Sequence, residues 1–240
     1  MNVRRFAAAA FLLCALTAGG ASGTAAYPGC AAGPDLRFRA ADGTRLVGHR
    51  FGHGTTAVVL AHQANGNLCQ WLPYARRLAG LGYTAIAFDF RGYGRSQYRS
   101  YPAGLRYSGD VSAAVKLARR LGARHVVLVG ASFGATTVIV AAANTRPLVD
   151  GVVSLSGPAT FSRLDAVAAA KHLEAPALYV AGTLDEGGIY RQDAETLYDA
   201  TAARDKTIEL VPSSEHGVQL VGHPGKAREL VEGFIRLHSR

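Results

Sequence analysis

His125-Val126-Val127-Leu128-Val129-Gly130-Ala131-Ser132-Phe133-Gly134-Ala135 decides how this chain folds. His125 to Val129 is a short apolar, β-branched run of the kind that forms a strand buried on both faces. Gly130-Ala131-Ser132-Phe133-Gly134 follows as a Gly-x-Ser-x-Gly turn, and Gly134 to Ala143 reads as a small-residue helix. Glycine at 130 and 134 removes the side chains that would collide in so sharp a turn, which leaves the Ser132 hydroxyl standing above the sheet. Ser132 also opens the helix, whose N-terminal amides favour negative charge. A Gly-x-Ser-x-Gly string alone often marks only a turn; the strand before it and the helix after it give this one its meaning.

Working outward, the same alternation recurs. Leu36 to Arg39 and Arg45 to Arg50 bracket Asp42-Gly43, a hairpin dipeptide, and read as two antiparallel edge strands. Ala57 to Ala61 is a strand, His62 to Asn67 a polar loop and Leu68 to Leu81 a helix. Then come a strand at Thr84 to Phe88 and a helix at Tyr107 to Leu121. Strands at Gly151 to Leu155, Ala177 to Ala181 and Thr207 to Val211 follow the elbow, with helices at Asp193 to Ala203 and Gly225 to His238. This order predicts an α/β fold, a mostly parallel central sheet with helices on both faces. Only about twenty residues join Leu155 to Ala177, too few for a separate cap domain. An open, lidless site is expected, with a short helix in Pro158 to His172 on its rim.

The 240 residues suffice for one such domain, preceded by a leader. Arg4 and Arg5, the apolar run Phe6 to Ala18 and the small residues up to Ala26 have the pattern of a secretory signal peptide. Residues 1–26 are therefore read as signal peptide and 27–240 as the domain. The apolar run is too short for a comfortable membrane span, so no stable insertion is expected after its removal. Secretion, or retention in the cell envelope, follows. The net charge of +9 falls to +7 without the two leader arginines, and no Lys/Arg run marks a nucleic-acid arm. With Cys14 inside the leader, Cys30 and Cys69 form an even pair in an oxidising compartment, which suggests a disulfide. The competing reading makes Cys30 a lipid-anchored N-terminus, since Tyr27-Pro28-Gly29-Cys30 weakly resembles a lipoprotein cleavage site.

A serine hydroxyl is a weak nucleophile and needs a base within hydrogen-bond reach and an acid orienting that base. Here the chain resembles the α/β-hydrolase superfamily, from about Asp35 to its C-terminus, and within it the esterase and dienelactone-hydrolase-like branch. Leu60-Ala61-His62-Gln63-Ala64-Asn65-Gly66 is similar to the superfamily's oxyanion loop, and Asp89-Phe90-Arg91-Gly92-Tyr93-Gly94-Arg95-Ser96 to its Asp-x-Arg-Gly-x-Gly-x-Ser loop. The resemblance implies Ser132 as nucleophile, Asp185 after the strand Ala177 to Ala181 as acid, and His216 after the last strand as base. Glu186 is the rival acid and His223 the rival base. The implied oxyanion donors are the backbone N–H groups of Phe133 and Gln63. Many relatives carry Gly where Gln63 stands, and His62 reads as a brace for that loop or as a catalytic group.

Ester hydrolysis of a small-molecule substrate through a Ser-His-Asp triad and an acyl-enzyme is the function this implies. Thioester, lactone or peptide hydrolysis would use the same triad, although a dienelactone hydrolase would carry Cys in place of Ser132. A non-catalytic binding protein on the same fold is the alternative of a different class. No Walker-type or complete dinucleotide fingerprint and no metal-spaced Cys/His/Asp/Glu set occurs, so neither cofactor nor metal is expected.

Overall fold

Strand Asp35–Arg39 (β1) and strand Arg45–Phe51 (β2) pair as an antiparallel hairpin. The computed structural model describes residues 35–98 and 106–239. The leader 1–26 and Cys30 lie outside them. Six more strands complete the sheet: Thr56–Ala61 (β3), Thr84–Phe88 (β4), His125–Ala131 (β5), Gly151–Leu155 (β6), and, after a two-strand hairpin at Thr160–Phe161 (β7) and Leu164–Asp165 (β8), Ala177–Gly182 (β9) and Lys206–Val211 (β10). The order across the main sheet is β1-β2-β4-β3-β5-β6-β9-β10. Every pairing from β4 to β10 is parallel, and β2 pairs antiparallel with both β1 and β4. This is the α/β-hydrolase fold. β1 alone of the first hairpin is an edge strand; β2 is enclosed, which its buried Leu46 to His49 required.

The apolar runs bury both faces because side chains alternate along a strand. Ala57, Val59 and Ala61 of β3 join one core with helix Tyr107–Arg120 (α2), helix Phe133–Ala143 (α3), helix Ala166–Ala170 (α4) and helix Ile189–Ala200 (α5). Val58 and Leu60 join the other, with helix Leu72–Gly80 (α1), helix Gln219–Gly222 (α6) and helix Lys226–Leu237 (α7). α3 lies so deep that nearly all its residues are buried, hence its alanines and threonines.

Two expectations shift and a third gains detail. The helix expected from Leu68 begins as a 3-10 turn, Leu68–Trp71, and becomes α-helical only at Leu72, because Pro73 has no N–H to continue an α-helical ladder from upstream. α5 starts at Ile189, four residues before Asp193, after a turn in which Glu186, Gly187 and Gly188 all have positive φ. It stops at Ala200, where Thr201 turns extended. The rim segment holds the expected short helix α4, N-capped by Asp165, whose Oδ1 accepts from the Ala168 N–H at 2.8 Å; the β7–β8 hairpin precedes it.

The loop after β4 is fixed by a buried ion pair. Arg91, 1% exposed, donates to Asp110 of α2 through Nη2 at 2.5 Å and to Asp42 of the β1–β2 turn through Nη1 at 2.7 Å. Burial pushes the Asp110 carboxyl up against the pull of Arg91, so this pair is costly to assemble and costlier to break. Asp110→Asn leaves the buried guanidinium with only the Asp42 carboxylate and should lower unfolding free energy in urea by about 3 kcal/mol; Arg91→Met with Asp110→Leu should recover most of that loss.

Candidate active site

At the C-terminal end of β5 the chain reverses into α3, and Ser132 sits at the turn with φ 52° and ψ −124°. That conformation is disfavoured for any side-chain-bearing residue and is imposed by the contacts around it. A Cβ on Gly130 would lie 2.4 Å from the Gly134 carbonyl oxygen, and one on Gly134 would lie 2.3 Å from that of Ala61. No other residue type fits at either place. Ser132 is 9% exposed, and the phenol of Tyr190, the second residue of α5, stands near its hydroxyl. The same Tyr190 ring lies 4.4 Å, centroid to centroid, from that of His216. Burial raises the Tyr190 phenol above its ordinary range, so it stays a neutral donor.

His216 follows β10 on a loop, and Asp185 follows β9. His216 Nδ1 is 2.9 Å from Oδ2 and 3.1 Å from Oδ1 of Asp185, which is only 1% exposed. A carboxylate can only accept there, so Nδ1 carries a proton and Nε2 is the ring nitrogen left free of the carboxylate. The rivals stand elsewhere: Glu186 is exposed in the turn beyond Asp185, and His223 is exposed and hydrogen-bonded to Glu215, which raises its pKa.

The loop after β3 is built on His62. This ring is fully buried; Nδ1 donates to the Gln63 carbonyl at 2.7 Å and Nε2 accepts the Phe90 N–H at 3.1 Å. Both nitrogens are occupied by backbone, and burial lowers the pKa to about 4. His62 is thus a neutral brace. Gln63 spans the site: its N–H donates to Gln70 Oε1 at 3.2 Å, while its own Oε1 accepts the Val218 N–H at 2.9 Å. The side chain that departs from Gly at this position ties the loop after β3 to the histidine loop. The Phe133 N–H belongs to the first turn of α3, where no intrahelical acceptor exists. The Phe133 ring packs among Phe90, Tyr107 and Phe161 at 4.8–5.0 Å between centroids.

Sequence reasoning missed Tyr190 and Gln70. Both sit on helical turns whose faces are set by irregular starts, the positive-φ run before α5 and the 3-10 turn before Pro73. Among the described residues no group of three or more His, Cys, Asp or Glu could hold a metal ion, and no helix is long and apolar enough to cross a membrane.

With this geometry in hand, the chain can be set beside known proteins. A family model described as the alpha/beta hydrolase fold matches residues 56–185. The Escherichia coli protein YfhR is 28% identical over 123 residues, spanning 45% of this chain and 43% of that protein. An esterase from Pyrococcus furiosus superposes with a TM-score of 0.73 at 16% identity, covering 86% of this chain and 91% of its own. The esterase RhEst1 from a Rhodococcus species gives 0.69 at 18% identity, covering 84% and 98%. At such identities the two structures attest a shared fold.

The buried His62 gives an acid-sensitive stability. In the unfolded chain a histidine titrates near 6.5, and in the fold His62 titrates at about 4, so the unfolded state binds the proton first. Its contribution is complete above pH 6.5 and declines as the pH falls toward 4, by about 3 kcal/mol. Urea unfolding of wild type and His62→Asn at pH 7.5 and 4 should show the gap between them shrinking by that amount; a constant gap would contradict the buried neutral ring.

Proposed function

Because the chain belongs to the α/β-hydrolase fold family, we propose that it is a serine hydrolase acting on carboxylic esters through Ser132, His216 and Asp185. One observation carries the proposal: a histidine held by a buried carboxylate at 2.9 Å shares Tyr190 as a neighbour with a serine on a strained elbow. His216 Nε2 takes the Ser132 proton, and Oγ attacks the ester carbonyl. The negative charge that develops on the carbonyl oxygen is met by the Phe133 and Gln63 N–H groups. His216 then returns the proton to the departing alkoxide, and water, activated by the same nitrogen, releases the acyl group from Ser132.

In the resting chain Gln70 Oε1 accepts the Gln63 N–H at 3.2 Å, a long bond that leaves this donor able to share its hydrogen with the oxyanion. Purified protein should hydrolyse short-chain aryl esters and react at Ser132 with a fluorophosphonate. Ser132→Ala should abolish both, and Asp185→Asn should lower kcat by about 10⁴, the loss expected when the base adopts the wrong tautomer. Folded protein that neither labels nor turns over would instead be a binding module on this fold.

Export, and a Cys30–Cys69 bridge in place of a lipid anchor, belong to the same proposal. Cys69 sits on the 3-10 turn before α1, its N–H held by Asn67 Oδ1 at 2.9 Å, so a bridge would tether the N-terminal segment beside the loop after β3. Intact-mass measurement should find the chain shortened by residues 1–26 and lighter by two hydrogens until reduced. A diacylglyceryl increment on Cys30 would overturn the bridge.

A further inference from the structure

Beside His216 lies a cavity of about 480 Å³ lined by Gln63, Asn65, Gln70, His216, Val218 and Gln219. Four of these six are carboxamides. Three of them are oriented by the backbone: Gln63 Oε1 accepts from Val218 N, Gln70 Oε1 from Gln63 N and Gln219 Oε1 from His216 N, at 2.9–3.2 Å. A backbone N–H can only donate, so each amide must turn its oxygen to the protein and leave its NH2 group for something else. No acceptor for these three NH2 groups occurs among the described residues.

We propose that this cavity receives the alcohol portion of the ester and that this portion is a neutral polyol, a glycerol or a sugar. The inference rests on the serine-esterase reading, because it is His216 that must protonate the departing alkoxide. The alcohol portion therefore lies against His216, and the cavity is what borders that ring. The chemistry of the wall selects the class. A hydrocarbon alcohol would leave the carboxamide donors without partners. An anion would lose its hydration with no cation among the lining residues to meet it. Hydroxyl groups fit both ways, accepting from the NH2 groups and donating to the second lone pair of each pinned oxygen. None of the aromatic residues packed around Phe133 lines this cavity, so the polar wall is separate from the apolar one.

The test compares kcat/KM of the full mature protein on four butyrate esters that differ only in the alcohol: ethanol, glycerol, glucose at O6 and glycolate. The glycerol or the glucose ester should exceed ethyl butyrate about tenfold, the worth of one net hydrogen bond at the generous end, and the two arms tell which polyol is meant. Gln70→Met and Gln219→Met should each bring that ratio several-fold closer to one, whatever they do to the absolute rates. Equal rates on ethyl and polyol esters, a preference for the glycolate ester, or a ratio unmoved in both variants overturns the proposal. If no ester at all is cleaved, the serine-esterase reading fails. Saturation-transfer NMR of Ser132→Ala with glycerol and methyl glucoside then judges the cavity by itself: binding weakened by Gln219→Met upholds a polyol site, and no binding ends it.

Discussion

The close approach of α3 to the end of β3 is the constraint on which the site depends. Only because positions 130 and 134 lack side chains can the elbow come within van der Waals reach of the Ala61 and His62 carbonyls. The turn that results holds Ser132 at φ 52°, a conformation costing on the order of 1–3 kcal/mol, which the two flanking buried elements supply. β3 and β5 are neighbours in the sheet, with Ala61 paired to Gly130, so the loop that leaves β3 at His62 passes directly over the helix that begins at Phe133. The Gln63 and Phe133 amides are brought to the same end of the sheet for that reason.

What was legible in the sequence follows from how local each cause is. The buried strands declare themselves by uninterrupted apolar runs, and the elbow by glycines whose necessity is steric and confined to five residues. Asp185 and His216 are readable as positions because each closes a strand. Tyr190 is not readable, since its direction depends on a turn of Glu186, Gly187 and Gly188 whose positive φ values rotate the whole of α5. The purpose of Gln63 is hidden for another reason: its partner Val218 lies 155 residues away. Glycine at 63 would leave the amide donor but remove the tie. The early start of α5 also escaped detection because its N-terminus carries no side-chain cap and so no sequence signal.

Two histidines near the elbow show how environment divides the work. His62 is enclosed, with both nitrogens committed to backbone groups, and burial keeps it uncharged well below neutral pH. His216 is partly exposed, has one nitrogen committed to a carboxylate and the other available, and so retains a site at which a proton can arrive and leave. The difference is one of satisfied valence. A ring whose two nitrogens are both bonded to the main chain can position a loop but cannot carry a proton without dismantling it.

The links that hold the site together are neutral. Gln70 holds the Gln63 amide within the segment after β3, Gln219 holds the His216 amide within the histidine loop, and Gln63 joins the two by holding the Val218 amide. The fully buried arginine ion pair stands apart from them, Arg91 with Asp110 and Asp42, under the loop after β4. Neutral dipoles respond far less than charged partners would to a change of charge on a neighbouring ring, so carboxamide links hold these loops in place whatever the state of the groups between them. The His216 ring itself keeps one carboxylate contact, Asp185 Oδ2 at 2.9 Å from Nδ1, and a buried acceptor on that side fixes which way the ring faces.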